Sequence, residues 1–283
     1  MVKKILLHCN YKTFIFISIL CLPLYPCRLC ALTIHTPVQE GSLIQGTLQK
    51  DERLFFNQTE IIPNSNGLFY FGLPQDFHSP LKLVLKTPNH AKTVVLPVQN
   101  RQWQEQYINN LPPAKVNIKP SHQKRIQQEN ALLFQNRQHL TKDFFPTCFI
   151  RPVKKPYRIS GQFGNRRIFN KQIKAGHSGT DYAQPINTPV YAMAKGRIVL
   201  THEDMFLSGK TVLVDHGYGI FSSYSHLNQI DVENGQIVNQ GQIIGKIGQT
   251  GRATGPHLHF TITWHQTRID PEFVFDTFQC ITK

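Results

Sequence analysis

The chain has 283 residues, 40% of them hydrophobic and 17% charged, with 31 basic against 17 acidic side chains for a formal net charge of +14. That length and apolar content support two domains with a core in each. The positive charge favours an anionic polymer of any kind, be it nucleic acid, phospholipid head groups or cell wall. The basic residues are dispersed and no recognition motif accompanies them, which argues against nucleic acid.

In chain order, Lys3, Lys4 and Lys12 precede or open an uncharged apolar run from Thr13 to Tyr25, with Pro23, Pro26 and the small residue Ala31 at its end. This is the layout of a secretory signal peptide, so residues 1–31 are read as a signal cleaved near Ala31. A membrane anchor needs about 20 apolar residues, and Arg28 interrupts the run before that. A lipid anchor at Cys27 or Cys30 has poor flanks in Tyr25-Pro26 and Arg28-Leu29, and no later segment is apolar enough to span a bilayer. Cleavage takes away Lys3, Lys4, Lys12 and Arg28 and no acidic residue, leaving 27 basic against 17 acidic side chains, or +10. The expected location is the periplasm, with secretion or anchoring by an uncleaved signal as alternatives.

Residues 32–100 read as short strands separated by Gly, Asn and Pro: Leu32 to Ile34, Ser42 to Leu48, Gly67 to Phe71, Leu81 to Leu85 and Thr93 to Val98. Such spacing predicts a small β-sandwich-like domain, a spacer, cover or targeting module. Its His35, His78 and His90 share no ligand-like spacing. Residues 101–143 turn polar and form a helical linker, with a helix predicted from Ser121 to about Leu140 on the Ile126, Leu133, Leu140 stripe.

From residue 144 to 276 the pattern becomes glycine-punctuated strands: Arg158 to Ser160, Pro189 to Ala194, Gly196 to Leu200, Thr211 to Val214, Gly219 to Tyr224, Gln242 to Ile247 and His257 to Trp264. Turn signals lie between them and no amphipathic helix of useful length appears, so an antiparallel β-domain is predicted, with 277–283 as a tail. The whole chain is therefore mainly β. Cys148 and Cys280 bracket this domain, and in an oxidising compartment they suggest a disulfide joining its ends, two free thiols being the alternative.

Chemistry concentrates in the same domain. Alternate residues of a strand face one way, so His257-Leu258-His259 delivers two imidazoles to one point. His177-Ser178-Gly179-Thr180-Asp181 offers a third imidazole and a carboxylate, on a loop to judge by Gly179, and Tyr224-Ser225-His226-Leu227 adds another histidine. A hydrolytic zinc centre takes three ligands from His, Asp or Glu and leaves a position for water. His177, Asp181 and one of His257/His259 supply that set, and the remaining member with His226 is free to work on protons.

In this order and in this glycine-rich β context, His177-x-x-x-Asp181, Tyr224-Ser225-His226-Leu227 and Gly251-Arg252-Ala253-Thr254-Gly255-Pro256-His257-Leu258-His259-Phe260 resemble the lysostaphin/LytM-type metallopeptidases, family M23. The match extends through Phe163-Gly164, Pro189-Val190, Val214-Asp215-His216-Gly217, Gly241-Gln242 and Asp270-Pro271, covering roughly residues 145–275. The resemblance implies an antiparallel β metallopeptidase domain in which His177, Asp181 and His259 bind one Zn2+ while His226 and His257 are catalytic. It further implies zinc-dependent cleavage of peptide bonds in peptidoglycan cross-links or bridges. The alternative is a non-catalytic peptidoglycan-binding regulator of other wall hydrolases, acting with a cell-envelope partner; the five intact positions argue against it. Where some members place a tyrosine six residues before the first histidine, this chain has Lys171, in a basic loop with Arg166, Arg167 and Lys174. His216 reads as a structural part of the Asp-His-Gly turn. The upstream domain could cover the metal cleft.

Overall fold

The computed structural model describes residues 32–108, 119–138, 140–169 and 172–280; residues 1–31, with the predicted signal, and Lys171 lie outside the described residues. Two small antiparallel sheets come first. β1 (Thr33–Ile34), β2 (Leu43–Thr47) and β5 (Leu68–Gly72) form one; β3 (Arg53–Phe56), β4 (Thr59–Ile61), β6 (Leu81–Lys86) and β7 (Ala91–Leu96) form the other, in the order β4-β3-β6-β7. Leu81, Leu83 and Leu85 are buried while Lys82 and Lys86 are exposed, the alternation of a strand with one wet face. The sheets meet where Phe56 and Phe71 lie 5.7 Å apart, centroid to centroid. The β3–β4 hairpin escapes the sequence reading because its turn, Asn57-Gln58, adopts positive φ at both residues without a glycine.

β8 (Glu105–Ile108) then pairs in parallel with β10 (Arg166–Phe169), whose antiparallel partner is β11 (Gln172–Gly176). Helix α1 (Pro120–Asn136) rests Leu132 and Leu133 on Leu200, Met205, Leu213 and Phe221. It ends earlier than the predicted Leu140. Arg137 caps it, and the chain leaves the helix so that the Thr141 hydroxyl reaches Asp215 Oδ2 at 2.8 Å.

The remainder is one large antiparallel sheet. Its main path runs β17 (Ile237–Val238), β14 (Gly196–Met205), β15 (Gly209–Asp215), β16 (Ile220–Ile230), β19 (Leu258–Trp264), β12 (Thr180–Ala183) and β9 (Arg158–Gly161). β13 (Pro189–Tyr191) and β18 (Ile243–Ile247) pair with each other, β18 also with β16, and β20 (Thr267–Ile269) extends from β19. A short helix absent from the sequence reading, α2 (Pro271–Thr277), follows: Pro271 opens it and the Asp270 carboxylate accepts the Glu272 N–H at 3.0 Å, a start signal that Asp-Pro carries locally. Beyond it Phe278 is buried against Tyr70 and Phe149, and Cys280 forms a disulfide with Cys148.

β19 sets where the site lies. Leu258, Phe260, Ile262 and Trp264 face the core, Phe260 against Tyr224 and Phe275 and Trp264 against Phe71. The N-terminal sheets therefore dock on this apolar face. The packing is close at Gly72, where a Cβ would fall 2.5 Å from Ile269 Cδ1 and 3.0 Å from Trp264 Cβ. His259, Thr261 and Thr263 occupy the opposite face.

Candidate metal and catalytic centre

Register delivers the first two donors. Asp181 on β12 and His259 on β19 are direct cross-strand partners, so their side chains rise from the same face a few ångströms apart. The close pairing depends on Gly179, where a Cβ would meet the Phe260 carbonyl oxygen at 2.1 Å. The loop expected around Gly179 is correct for Ser178 and Gly179, but Asp181 belongs to a strand. His177 arrives from the end of β11.

The three donors converge. His259 Nδ1 lies 2.7 Å from Asp181 Oδ1 and 3.1 Å from His177 Nε2, and His177 Nε2 lies 3.1 Å from Asp181 Oδ1. Ligands at ordinary Zn–N and Zn–O distances in a tetrahedron sit about 3.3 Å from each other, so this triangle is close to the edge length such an ion requires. His177 and Asp181 are buried. Burial acts to raise the Asp181 carboxyl, but hydrogen bonds from His177 and His259 outweigh it and hold it well below the usual carboxylate range. The donor set is thus two imidazoles and an anion, a combination suited to zinc.

Each donor ring is oriented by a second contact. His177 Nδ1 lies 3.0 Å from the Gln162 carbonyl, which turns Nε2 inward. His259 is turned the other way, Nε2 lying 3.2 Å from Thr261 Oγ1 and 3.3 Å from Ser178 Oγ, which leaves Nδ1 for the centre. Such contacts fix tautomer and ring plane. The carbonyls and hydroxyls involved carry no spacing signal, and sequence reasoning did not find them.

The other two imidazoles stand beside this triangle. His226 and His257 have ring centroids 4.7 Å apart, and His257 Nε2 is 3.8 Å from Asp181 Oδ1. His226 Nδ1 donates to the Thr250 carbonyl at 2.8 Å and His257 Nδ1 to the Gly255 carbonyl at 2.8 Å, so both present Nε2. His226 adopts φ +62°, a left-handed backbone that is strained for a residue with a Cβ. Its N–H bonds the Ser208 carbonyl at 2.7 Å, which holds it there. Burial, with lesser contributions from His259 and His257, pushes its imidazole down to about 3. It is neutral at physiological pH.

Other predicted positions lie elsewhere. His216 is fully buried between the Lys195 carbonyl at 2.9 Å and Ser222 Oγ at 2.7 Å, a structural setting. His78 lies 3.0 Å from the buried Glu40 carboxylate, which also accepts the Trp103 indole N–H. Trp103 in turn covers Gly164, next to the turn that orients His177. The segment after the N-terminal sheets thus touches the rim of the centre, while the sheets themselves occupy the far face of β19.

The part of the chain that carries these residues is similar to known proteins. The description "Peptidase family M23" matches residues 175–271. Peptidoglycan DD-endopeptidase ShyA of Vibrio cholerae is 41% identical over 143 residues, 49% of this chain and 33% of that protein. DD-carboxypeptidase/endopeptidase Mpg of Neisseria meningitidis serogroup B is 37% identical over 114 residues, 40% of this chain and 26% of that protein. The chain thus spans a third or less of the length of these curated relatives. A crystal structure described as a putative peptidase M23 from Pseudomonas aeruginosa superposes with a TM-score of 0.64 at 29% identity, over 86% of this chain and 96% of that one.

Proposed function

Residues 175–271 match peptidase family M23, and on that premise we propose that the chain is a zinc-dependent endopeptidase that hydrolyses peptide bonds in peptidoglycan cross-links. One observation carries the reading: three zinc-type donor atoms stand 2.7–3.1 Å apart with two further imidazoles beside them. His177, Asp181 and His259 would hold the ion, which when bound supplies Lewis acidity and water of lowered pKa.

The remaining work falls to side chains of the chain. Amide hydrolysis needs a group that takes a proton from water and one that returns it to the leaving amine. His226 and His257 present acceptor Nε2 atoms because Thr250 and Gly255 hold their Nδ1–H groups. An imidazole that accepts the proton at Nε2 becomes the imidazolium that returns it to the amine. The basic surface suits a wall that bears carboxylates, and the relatives named as peptidoglycan DD-endopeptidases point to the same substrate. Export through the 1–31 signal to the periplasm completes the proposal.

The test is digestion of purified peptidoglycan by residues 32–283, with chelator and with zinc restored, reading released muropeptides by mass spectrometry. Chelator-sensitive, zinc-restored loss of cross-linked species is expected. Failure of the zinc-loaded protein to cleave would overturn the hydrolase and leave the non-catalytic wall-binding regulator.

A further inference from the structure

The polar face of β19 continues past the metal donors. His259, Thr261 and Thr263 alternate along it, and Thr263 is the cross-strand partner of Arg268 on β20, so these two side chains share that face. The end of helix α1 closes over the same place. Gln266, in the β19–β20 turn, donates to the Phe134 carbonyl at 3.1 Å, and Arg137 caps the helix three residues later.

Two features there lack the partners that the fold supplies elsewhere. Arg53, Arg101, Arg125, Arg151, Arg166 and Arg197 each face a carboxylate. Among the described residues, neither Arg137 nor Arg268 faces one, and the buried Arg137 Nε and Thr263 Oγ1 have no hydrogen-bond partner. Thr263 is 2% exposed. The carboxylate that shares this face, Asp215, is engaged by the Thr141 hydroxyl and the Gly217 N–H at 2.8 Å each. Burial, and then the charge of Arg268, pushes Arg137 down to about 10; burial also lowers Arg268. A buried guanidinium with an open donor beside a like charge is unfavourable unless an anion joins them.

We propose that Arg137 and Arg268 form a subsite for a carboxylate of the substrate peptide, at the far end of the face that carries the metal donors. A guanidinium fork matches a carboxylate with two parallel hydrogen bonds, and two forks give the site both charge and direction. Four residues separate His259 from Thr263 along the strand, about 13 Å at the usual strand rise. An extended peptide whose scissile amide lies at the metal centre places a group about four residue lengths away at this pair. The proposal rests on the peptidoglycan reading above for its substrate.

The experiment uses residues 32–283 with bound zinc and two substrates, native peptidoglycan and the same material with its carboxylates amidated. Arg268→Gln, at a side chain that reaches solvent, is measured alone and with Arg137→Gln; Arg197→Gln removes the same charge elsewhere as the control. The expected result on native material is KM raised about tenfold with kcat within twofold, Arg197→Gln unchanged, and no difference between the proteins on amidated material. Wild-type KM in Arg268→Gln and in the double variant, or the same rise in Arg197→Gln, would overturn the subsite while leaving the hydrolase intact. If the wild-type protein cleaves nothing, the hydrolase reading fails and co-sedimentation decides the subsite. Binding to native peptidoglycan weakened about tenfold in the arginine variants alone sustains it, and unchanged binding removes it.

Discussion

The two faces of β19 differ in almost every physical respect although they share one backbone. On one, Leu258, Phe260, Ile262 and Trp264 are close-packed against β16, helix α2 and the N-terminal sheets. On the other, His259, Thr261 and Thr263 are polar, close to ionisable groups and incompletely bonded. The lesson is that the polar face is held in place by the apolar one. Side chains that must be fixed to within a fraction of an ångström are planted on a strand whose reverse side is locked by aromatic packing.

Four substitutions separate the faces, in descending order of expected effect. On the polar face, His177→Ala should abolish both zinc binding and hydrolysis. His257→Ala should keep the metal and lose about 10²–10⁴-fold in rate; zinc content and initial rates measured on the same preparations give the comparison. Full activity in His257→Ala would remove its assigned role. On the apolar face, Phe260→Ala should lower stability by about 3–5 kcal/mol through the cavity left between Tyr224 and Phe275. Thermal unfolding reads this, and the zinc content of the protein that remains folded should be normal. The smallest change is Thr261→Val, which keeps shape but removes the contact to His259 Nε2. It should weaken zinc affinity about 10–100-fold in a chelator competition, with the unfolding temperature nearly unchanged. A large stability loss there, with affinity retained, would show that Thr261 serves packing and not the metal ligand.

Much of the site is legible in the chain because its signals are local. His-x-His on a strand places two imidazoles on one face whatever the rest of the fold does, and in the structure His257 and His259 do lie within the same cluster. The alternating strands from Arg158 to Trp264 are legible for the same reason. The β3–β4 hairpin is not, because its turn, Asn57-Gln58, lacks the glycine that marks a tight two-residue turn. Helix α2 had its signal in Asp270-Pro271, but seven residues give too little periodicity to register. The predicted C-terminal end of α1 fails because the helix is capped at Arg137, three residues short of Leu140.

The sequence by itself determined the donor types, the spacing of the two histidines, the strand-rich class and the candidate disulfide, since each follows from residue chemistry or a period of two. Tertiary structure alone decided that Asp181 pairs with His259 across 78 positions, that His226 is held in a left-handed conformation by Ser208, and that the end of helix α1 is bonded to the β19–β20 turn through Gln266. Those outcomes depend on strand register and on one element closing over another. Neither is encoded in any window of neighbouring residues, because the free energy that selects them comes from contacts between distant segments.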